Sequence, residues 1–297
     1  MRIKRKVNLL IITTVAILLT GLVAGLFFFS IDSLMDIEQH ESMKNSVTAE
    51  NYLDYKISSL DKIGRDWAYW DSSYYFMDDR NSEYIVENLP ESSFINLDLN
   101  AILFFDANGD FFYGRYYNPE KGIFTEIPDS LVNALMQNSF VKNPYAEGSS
   151  SGFIEADGEI YMVSINPLLK SSLEGPVKGT FVLAKLLSGD YFPDISHEIN
   201  LNVEFLKISE NGYSEMISNG KIPYIVYNEE GDELSVISPL YDINKNTVAV
   251  LKVTENRDLF SLGINSIILH SILAILTCVV IIIIIRELLL SQFLTIQ

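Results

Sequence analysis

The sequence predicts an α+β protein carried between two membrane-spanning helices, and three observations make that prediction. Two uncharged apolar blocks, residues 7–29 and 264–285, lie near the two ends of the chain. Between them, residues 49–74 repeat apolar positions at helical spacing, and from residue 101 onward the pattern changes to short strand-like runs separated by turn signals.

The first block (VNLLIITTVAILLTGLVAGLFFF) holds no charge and covers roughly 34 Å at about 1.5 Å per residue, enough to cross the hydrocarbon of a bilayer. The second (INSIILHSILAILTCVVIIIII) is of similar length and ends at Arg286. Arg2, Lys4, Arg5 and Lys6 crowd the entry to the first span, whereas residues 31–41 after it hold only acids and His40. The positive-inside rule therefore places the N-terminus in the cytoplasm, and two spans return the C-terminus to it. A cleavable signal peptide is the rival reading of the first block. Its apolar run is too long for one, and it ends in Phe27-Phe28-Phe29 without a small-residue cleavage site.

Residues 30–263, 234 in all, are then expected outside the cytoplasm, with 16 Lys and Arg against 38 Asp and Glu. A domain this acidic is unsuited to nucleic acid or to anionic lipid surfaces, both of which need basic partners. The partners it suits are a small polar or cationic ligand, or protein. The single cysteine, Cys278, lies inside the second span, so the exterior must be held by its core rather than by a disulfide.

The exterior opens with a proline-free stretch in which Ala49, Leu53, Ile57, Leu60, Ile63, Trp67, Trp70 and Tyr74 step by three or four. This predicts one long helix leaving the membrane and running through residues 30–76, with Gly64 as the expected place of any interruption. A short helix is expected over 82–88, before Pro90. Strands follow at 101–106, 111–117, 152–156, 159–166 and 179–185, with a helix over 128–140 that has Pro128 at its start. Strand, strand, helix and three strands is the order of a PAS-like antiparallel sheet, assigned to residues 77–190. A partly helical segment over 188–200 leads to further strands at 202–208, 224–227, 233–239 and 247–254. Residues 158–168 (GEIYMVSINPL) followed by 179–184 and Asp190-Tyr191 are echoed by 232–240 (DELSVISPL), 247–251 and Asp258-Leu259-Phe260. The echo suggests a second, abbreviated unit over 191–258; a single extended sheet is the alternative.

The densest aromatic cluster, residues 66–76 (DWAYWDSSYYF), holds both tryptophans. On a helix Trp67, Trp70 and Tyr74 share one face with Asp71 beside it. Such a stripe is a core seam, and with Asp66 and Asp71 it is also a receptor surface for a polar or cationic small molecule. Arg115 and Tyr161, on the strands that follow, complete the candidate ligand-binding set. Full burial of Trp70 would make Trp70→Ala cost about 3–5 kcal/mol. The Asp106-Ala107-Asn108-Gly109-Asp110 segment resembles the start of a calcium loop, but its glycine falls one place early and no closing glutamate follows, so a two-residue Asn-Gly hairpin turn is expected.

The Trp70-Asp71-x-x-Tyr74 element at the end of a membrane-exiting helix resembles the signature of CHASE4, an extracytoplasmic sensory domain of prokaryotic signalling proteins. Asn88-Leu89, Leu99-Asn100 leading into the strand that ends in Asp106-Ala107-Asn108-Gly109, and the turn from Gly175-Pro176 to Gly179 before Phe181-Val182-Leu183 are similar too. The resemblance covers residues 31–257. It implies a Cache-like, PAS-related fold and a role in relaying an external signal to a cytoplasmic histidine kinase or cyclic-dinucleotide enzyme. It implies no common ligand.

The residues themselves offer no catalytic relay. His40, His197 and His270 are far apart in sequence, with no metal-ligand spacing, and no phosphate-binding or nucleophile-elbow glycine pattern is present. No metal, cofactor or enzyme activity is expected. His270, inside the second span, reads either as packing against a partner helix or as a neutral imidazole at the lipid face or interface. A homodimer formed through the long helix and the spans is expected. The final residues, 286–297 (RELLLSQFLTIQ), fit a helix running on from the membrane. Twelve residues cannot fold into an output domain, so the expectation is a sensory fragment of a longer polypeptide or a tail that docks on a separate partner. A membrane-tethered enzyme or assembly factor is the competing function, but it needs only one anchor.

Overall fold

The structure is a computed structural model that describes residues 2–187, 191–206, 208, 223–228 and 231–294. The chain begins with α1 (Arg2–Ala68), followed by three short helices, α2 (Asp71–Asp79), α3 (Ser82–Asn88) and α4 (Glu91–Leu97). Next come β1 (Ala101–Asp106), β2 (Phe111–Asn118) and β3 (Ile123–Thr125). Three further helices follow, α5 (Asp129–Gln137), α6 (Ser139–Lys142) and α7 (Pro144–Glu147), and then β4 (Ser150–Ala156), β5 (Glu159–Pro167) and β6 (Gly179–Leu186). The remainder is α8 (Tyr191–Ile199), β7 (Asn202–Leu206), β8 (Tyr224–Tyr227), β9 (Glu233–Tyr241), β10 (Thr247–Asn256) and α9 (Asp258–Leu294). Residue 207 of the expected strand at 202–208, Asp190 of the internal echo, and residues 295–297 lie outside the described residues.

The molecule divides into two compact units. The first comprises residues 1–44, 227–234 and 255–297. It holds the apolar parts of α1 and α9, which among the described residues are the two helices long and apolar enough to cross a membrane.

The second unit, residues 45–226 and 235–254, holds the expected PAS-like sheet of antiparallel strands. Its six strands lie in the order β3-β2-β1-β6-β5-β4, and a separate four-stranded sheet has the order β7-β10-β9-β8. The central strand β1 reads Ala-Ile-Leu-Phe-Phe because both of its faces are covered. Ile102 and Phe104 face one core with Phe181, Leu183 and the α1 residues Ala49, Leu53 and Leu60. Leu103 and Phe105 face the other, with Val163, Ile165, Val182 and the α5 residues Leu131 and Leu135. The sheet thus has helices on both sides, which is why its strands show runs of apolar residues rather than strict alternation.

Three details depart from the sequence reading. The exit helix does not run to Phe76 or break at Gly64. It ends at Ala68, and the chain turns at Trp70, which is extended at φ −87°, ψ 137°. Gly64 sits mid-helix because α1 lies hard against β5: a Cβ there would collide with Ser164 Oγ and stand 2.8 Å from Asn166 Nδ2. Those side chains form a polar seam, with Asn166 Nδ2 donating to Ser164 Oγ at 2.7 Å and Ser164 Oγ to Asp61 Oδ1 at 3.3 Å. Secondly, α4, β3 and α7 have no counterpart in the sequence reading, and the helix expected over 128–140 breaks at the extended Asn138, which separates α5 from α6. Thirdly, the β1–β2 connection is a four-residue loop rather than a two-residue turn. Asp106 Oδ1 accepts the amides of Asn108 at 2.8 Å and Asp110 at 3.0 Å, and Gly109 takes φ +84°. The β9–β10 hairpin repeats the device, Asp242 Oδ1 accepting from the amides of Asn244 and Asn246.

Candidate functional site

The helix break at Trp70 gathers most of the aromatic cluster. Trp67 and Trp70, on either side of it, stack with centroids 5.3 Å apart, and Trp67 also lies over Phe181 of β6 at 6.2 Å. A break in a helix leaves backbone groups without intrahelical partners, and the β5–β6 loop supplies them. Leu169 donates its amide to Ala68 O at 3.2 Å. Asp71 and Ser171 pair reciprocally: the Asp71 amide donates to Ser171 Oγ at 3.3 Å, and the Ser171 amide to Asp71 Oδ1 at 2.9 Å. One helical turn on, the Tyr74 hydroxyl donates to Pro176 O at 3.0 Å. The Trp-Asp-x-x-Tyr element is therefore a clamp that folds the loop between residues 168 and 178 back onto the broken helix.

The clamp already holds cations of its own. Lys178 Nζ stands 4.9 Å from the Tyr74 ring centroid and pairs with Asp78, while Lys170 Nζ lies 5.5 Å from the same ring. An ammonium over an aromatic face is the interaction a cationic ligand would use, and here the chain supplies it. Asp66 is exposed, and Trp67 and Trp70 are half-buried.

Arg115 and Tyr161 do not join this group. Arg115 donates to Leu89 O at 2.7 Å, and its guanidinium lies 3.5 Å from the Phe124 ring centroid, so it pins the α3–α4 junction to the edge of the sheet. Tyr161 belongs to the opposite core, hydrogen-bonded to Tyr116, and burial pushes both phenols above their ordinary range. The residues that sequence reasoning missed are Lys170, Ser171 and Lys178. The Gly175-Pro176 turn between them was the available signal.

A second feature lies at the corner of α2 and α3. An open cleft of about 220 Å³ is lined by Tyr75, Phe76 and Tyr84 together with the acids Asp79, Glu83 and Glu87. Tyr84 stacks on Phe76 at 4.6 Å and shares a 2.8 Å hydrogen bond with Ser73, and burial pushes its phenol up to about 12.

Because Trp70 is half-buried rather than sealed in, Trp70→Ala is expected to cost about 2 kcal/mol, less than the full-burial figure. Asp71→Ala removes the acceptor for Ser171 and an acid from the first turn of α2, and should cost about 1 kcal/mol. Thermal or urea melts of the exterior region check both. A neutral Asp71→Ala would show that the loop does not depend on the clamp.

A long helix continuous with an apolar segment, a PAS-like antiparallel sheet and a loop clamped to the helix break are the frame of this domain. The chain belongs to the CHASE4 domain family, whose profile matches residues 52–206. It is 24% identical over 265 residues to the methanogenesis regulatory histidine kinase FilI of Methanothrix harundinacea, an alignment covering 88% of this chain and 30% of that protein. The chain thus spans about a third of the length of the curated relative it matches. Among solved structures, the domain of a sensory box/GGDEF family protein from Vibrio parahaemolyticus superposes with a TM-score of 0.50 at 15% identity, covering 78% of this chain and 99% of that one. The extracellular domain of the histidine kinase vpHK1S-Z8 does so with a TM-score of 0.49 at 16% identity, over 80% and 98%. The protein is accordingly a membrane protein with an extracytoplasmic sensory segment that serves a transmembrane receptor.

Proposed function

We propose that this chain is the sensing and membrane-crossing part of a two-span receptor, with both termini cytoplasmic and residues 30–263 outside, acting on a cytoplasmic histidine kinase or cyclase output module in cis or in trans. The observation that carries this reading is the clamp. The β5–β6 loop is bonded to the break of the same helix that continues into the first span, so a molecule that reshapes the loop changes the load on that helix. A small polar molecule seated against Asp66, Trp67, Trp70, Asp71 and Tyr74 fits this role better than a cation, since Lys170 and Lys178 already occupy the Tyr74 face. Tandem PAS-like units, at residues 77–190 and 191–258, accord with the two separate sheets. Pairing of two copies through α1 and the spans would let a displacement in one subunit be read against the other. The kinase named in the Methanothrix relative supports the choice of output.

A reporter active only outside the cytoplasm, fused after Gln297, should be silent, and activity there would overturn the topology. With a histidine kinase core joined in helical register after Gln297, Asp71→Ala should change kinase output. An output indifferent to the clamp in every register, with the protein folded and inserted, would remove the sensory reading.

A further inference from the structure

The membrane-proximal unit contains an ion pair of unusual completeness. Arg257 donates through Nε and one terminal nitrogen to the two carboxylate oxygens of Glu38, both at 2.8 Å, and through the other terminal nitrogen to Gly231 O at 2.8 Å. Its guanidinium lies 4.0 Å from the Phe260 ring centroid and 4.7 Å from that of Tyr227. The two side chains are only 12% and 13% exposed.

The backbone of Arg257 marks where strand becomes helix. Its amide donates to Asp232 O at 2.8 Å, while its carbonyl accepts the Ser261 amide at 2.9 Å in the first turn of α9. A cation at a helix N-terminus faces the positive end of the macrodipole, an unfavourable placement unless a carboxylate neutralises it. Glu38 does so, and the same bonds hold the guanidinium further above its ordinary range.

The contact is also in register. One turn further along α1, Ser42 Oγ donates to Glu255 Oε2 at 3.2 Å, so positions 38 and 42 of the helix meet positions 257 and 255 of the strand end. Four helical residues rise about 6 Å and two strand residues about 6.6 Å, so the spacings match and a slip by one residue would break both contacts. One turn nearer the membrane, Gly263 lets α9 close on α1: a Cβ there would stand 2.7 Å from Leu34 Cδ2.

We propose that Glu38 and Arg257 form a charge latch that sets the register of α9 against α1 at the outer mouth of the membrane, and that opening it releases the second span to move. Removing one member leaves the other charge buried and alone, which is costly, so the pair has two favourable states: closed, or open with both charges in water. A signal needs such a two-state element. The meaning of the latch rests on the sensory reading above, but its existence is tested without any output.

The test uses the full chain in lipid vesicles, with Cys278→Ser and the pair Leu34→Cys and Gly263→Cys, whose shorter side chain at 34 makes room at 263. The rate of oxidative cross-linking reports the spacing of the two helices. Glu38→Gln should slow it by about 5-fold or more. Arg257→Lys keeps the charge but loses the bidentate fork, should slow it likewise, and serves if Glu38→Gln does not insert. Exchange of the two residues, Glu38→Arg with Arg257→Glu, should restore the rate. A rate unchanged by Glu38→Gln and Arg257→Lys, or a loss that the exchange does not recover, overturns the latch. Because no kinase is read, that failure is distinct from failure of the sensory reading.

Discussion

Replacing Phe76 with alanine is expected to destabilise the exterior by about 3–5 kcal/mol, the range for emptying a fully buried phenylalanine site. The ring is 1% exposed and is the hub of an aromatic cluster, with centroids 4.6 Å from Tyr84, 4.9 Å from Phe104, 5.4 Å from Tyr113 and 6.0 Å from Phe112. Three of these are edge-on and the Tyr84 contact is stacked, geometries that add to the area buried. The cluster joins α2, just beyond the clamp, to α3 and to the central strand β1. Collapse of the neighbours into the space is limited because Tyr84 is tied to Ser73 and Phe104 lies against Phe181. Urea denaturation of the exterior region measures the loss. A cost under about 1 kcal/mol would mean that α2 is not anchored by this ring and that the helix break is free to move independently of the sheet.

Gly179→Ala should be about as damaging, at about 3 kcal/mol or more, for a different reason. Gly179 opens β6 where the clamped loop rejoins the sheet, paired with Asp106 of β1, and its carbonyl accepts the Leu168 amide at 2.8 Å. A Cβ at this position would run into the carbonyl oxygen of Phe105 and stand 3.1 Å from the Asp106 backbone. Backbone cannot swing aside as a side-chain tip can, so the two strands would have to separate. Gly148 is the control: it too has positive φ, +76°, but a Cβ there meets nothing within 4 Å. Gly148→Ala should cost only the backbone strain of holding a side-chain-bearing residue at φ +76°, ψ −134°, about 1–3 kcal/mol. Equal losses at the two positions would show that strain, not collision, governs Gly179.

How far the fold was legible follows from which interactions are local. The strand at 101–106 and the helix at 82–88 were located to the residue, since apolar runs and turn residues bound them. The end of α1 was misplaced because its cause is distant: Leu169 and Ser171, about 100 residues away in sequence, satisfy the groups freed at Ala68 and Asp71. Gly64 misled because a weak helix former reads as a break, whereas here its missing side chain makes room for Ser164. Pro90 reads from the sequence as the end of one helix, although it also stands at the N-cap of α4. Of the site, the tryptophans, Asp71 and Tyr74 were legible because they share one short segment. Arg115 and Tyr161 were not resolvable into place. Strand pairing sets Arg115 opposite Ile102 on the α1 side of the sheet and Tyr161 on the other, and register is invisible in a single sequence.

Between Asn256, the last residue of β10, and Asp258, the first of α9, stands a single residue. A joint that short has no slack, so its length is quantised. One inserted residue would turn every face of the following helix by about 100°, and three or four would restore the face while advancing it about 5 Å along its axis. Chain length at this point therefore behaves as an index rather than a tether, fixing which side of the second span faces its neighbours.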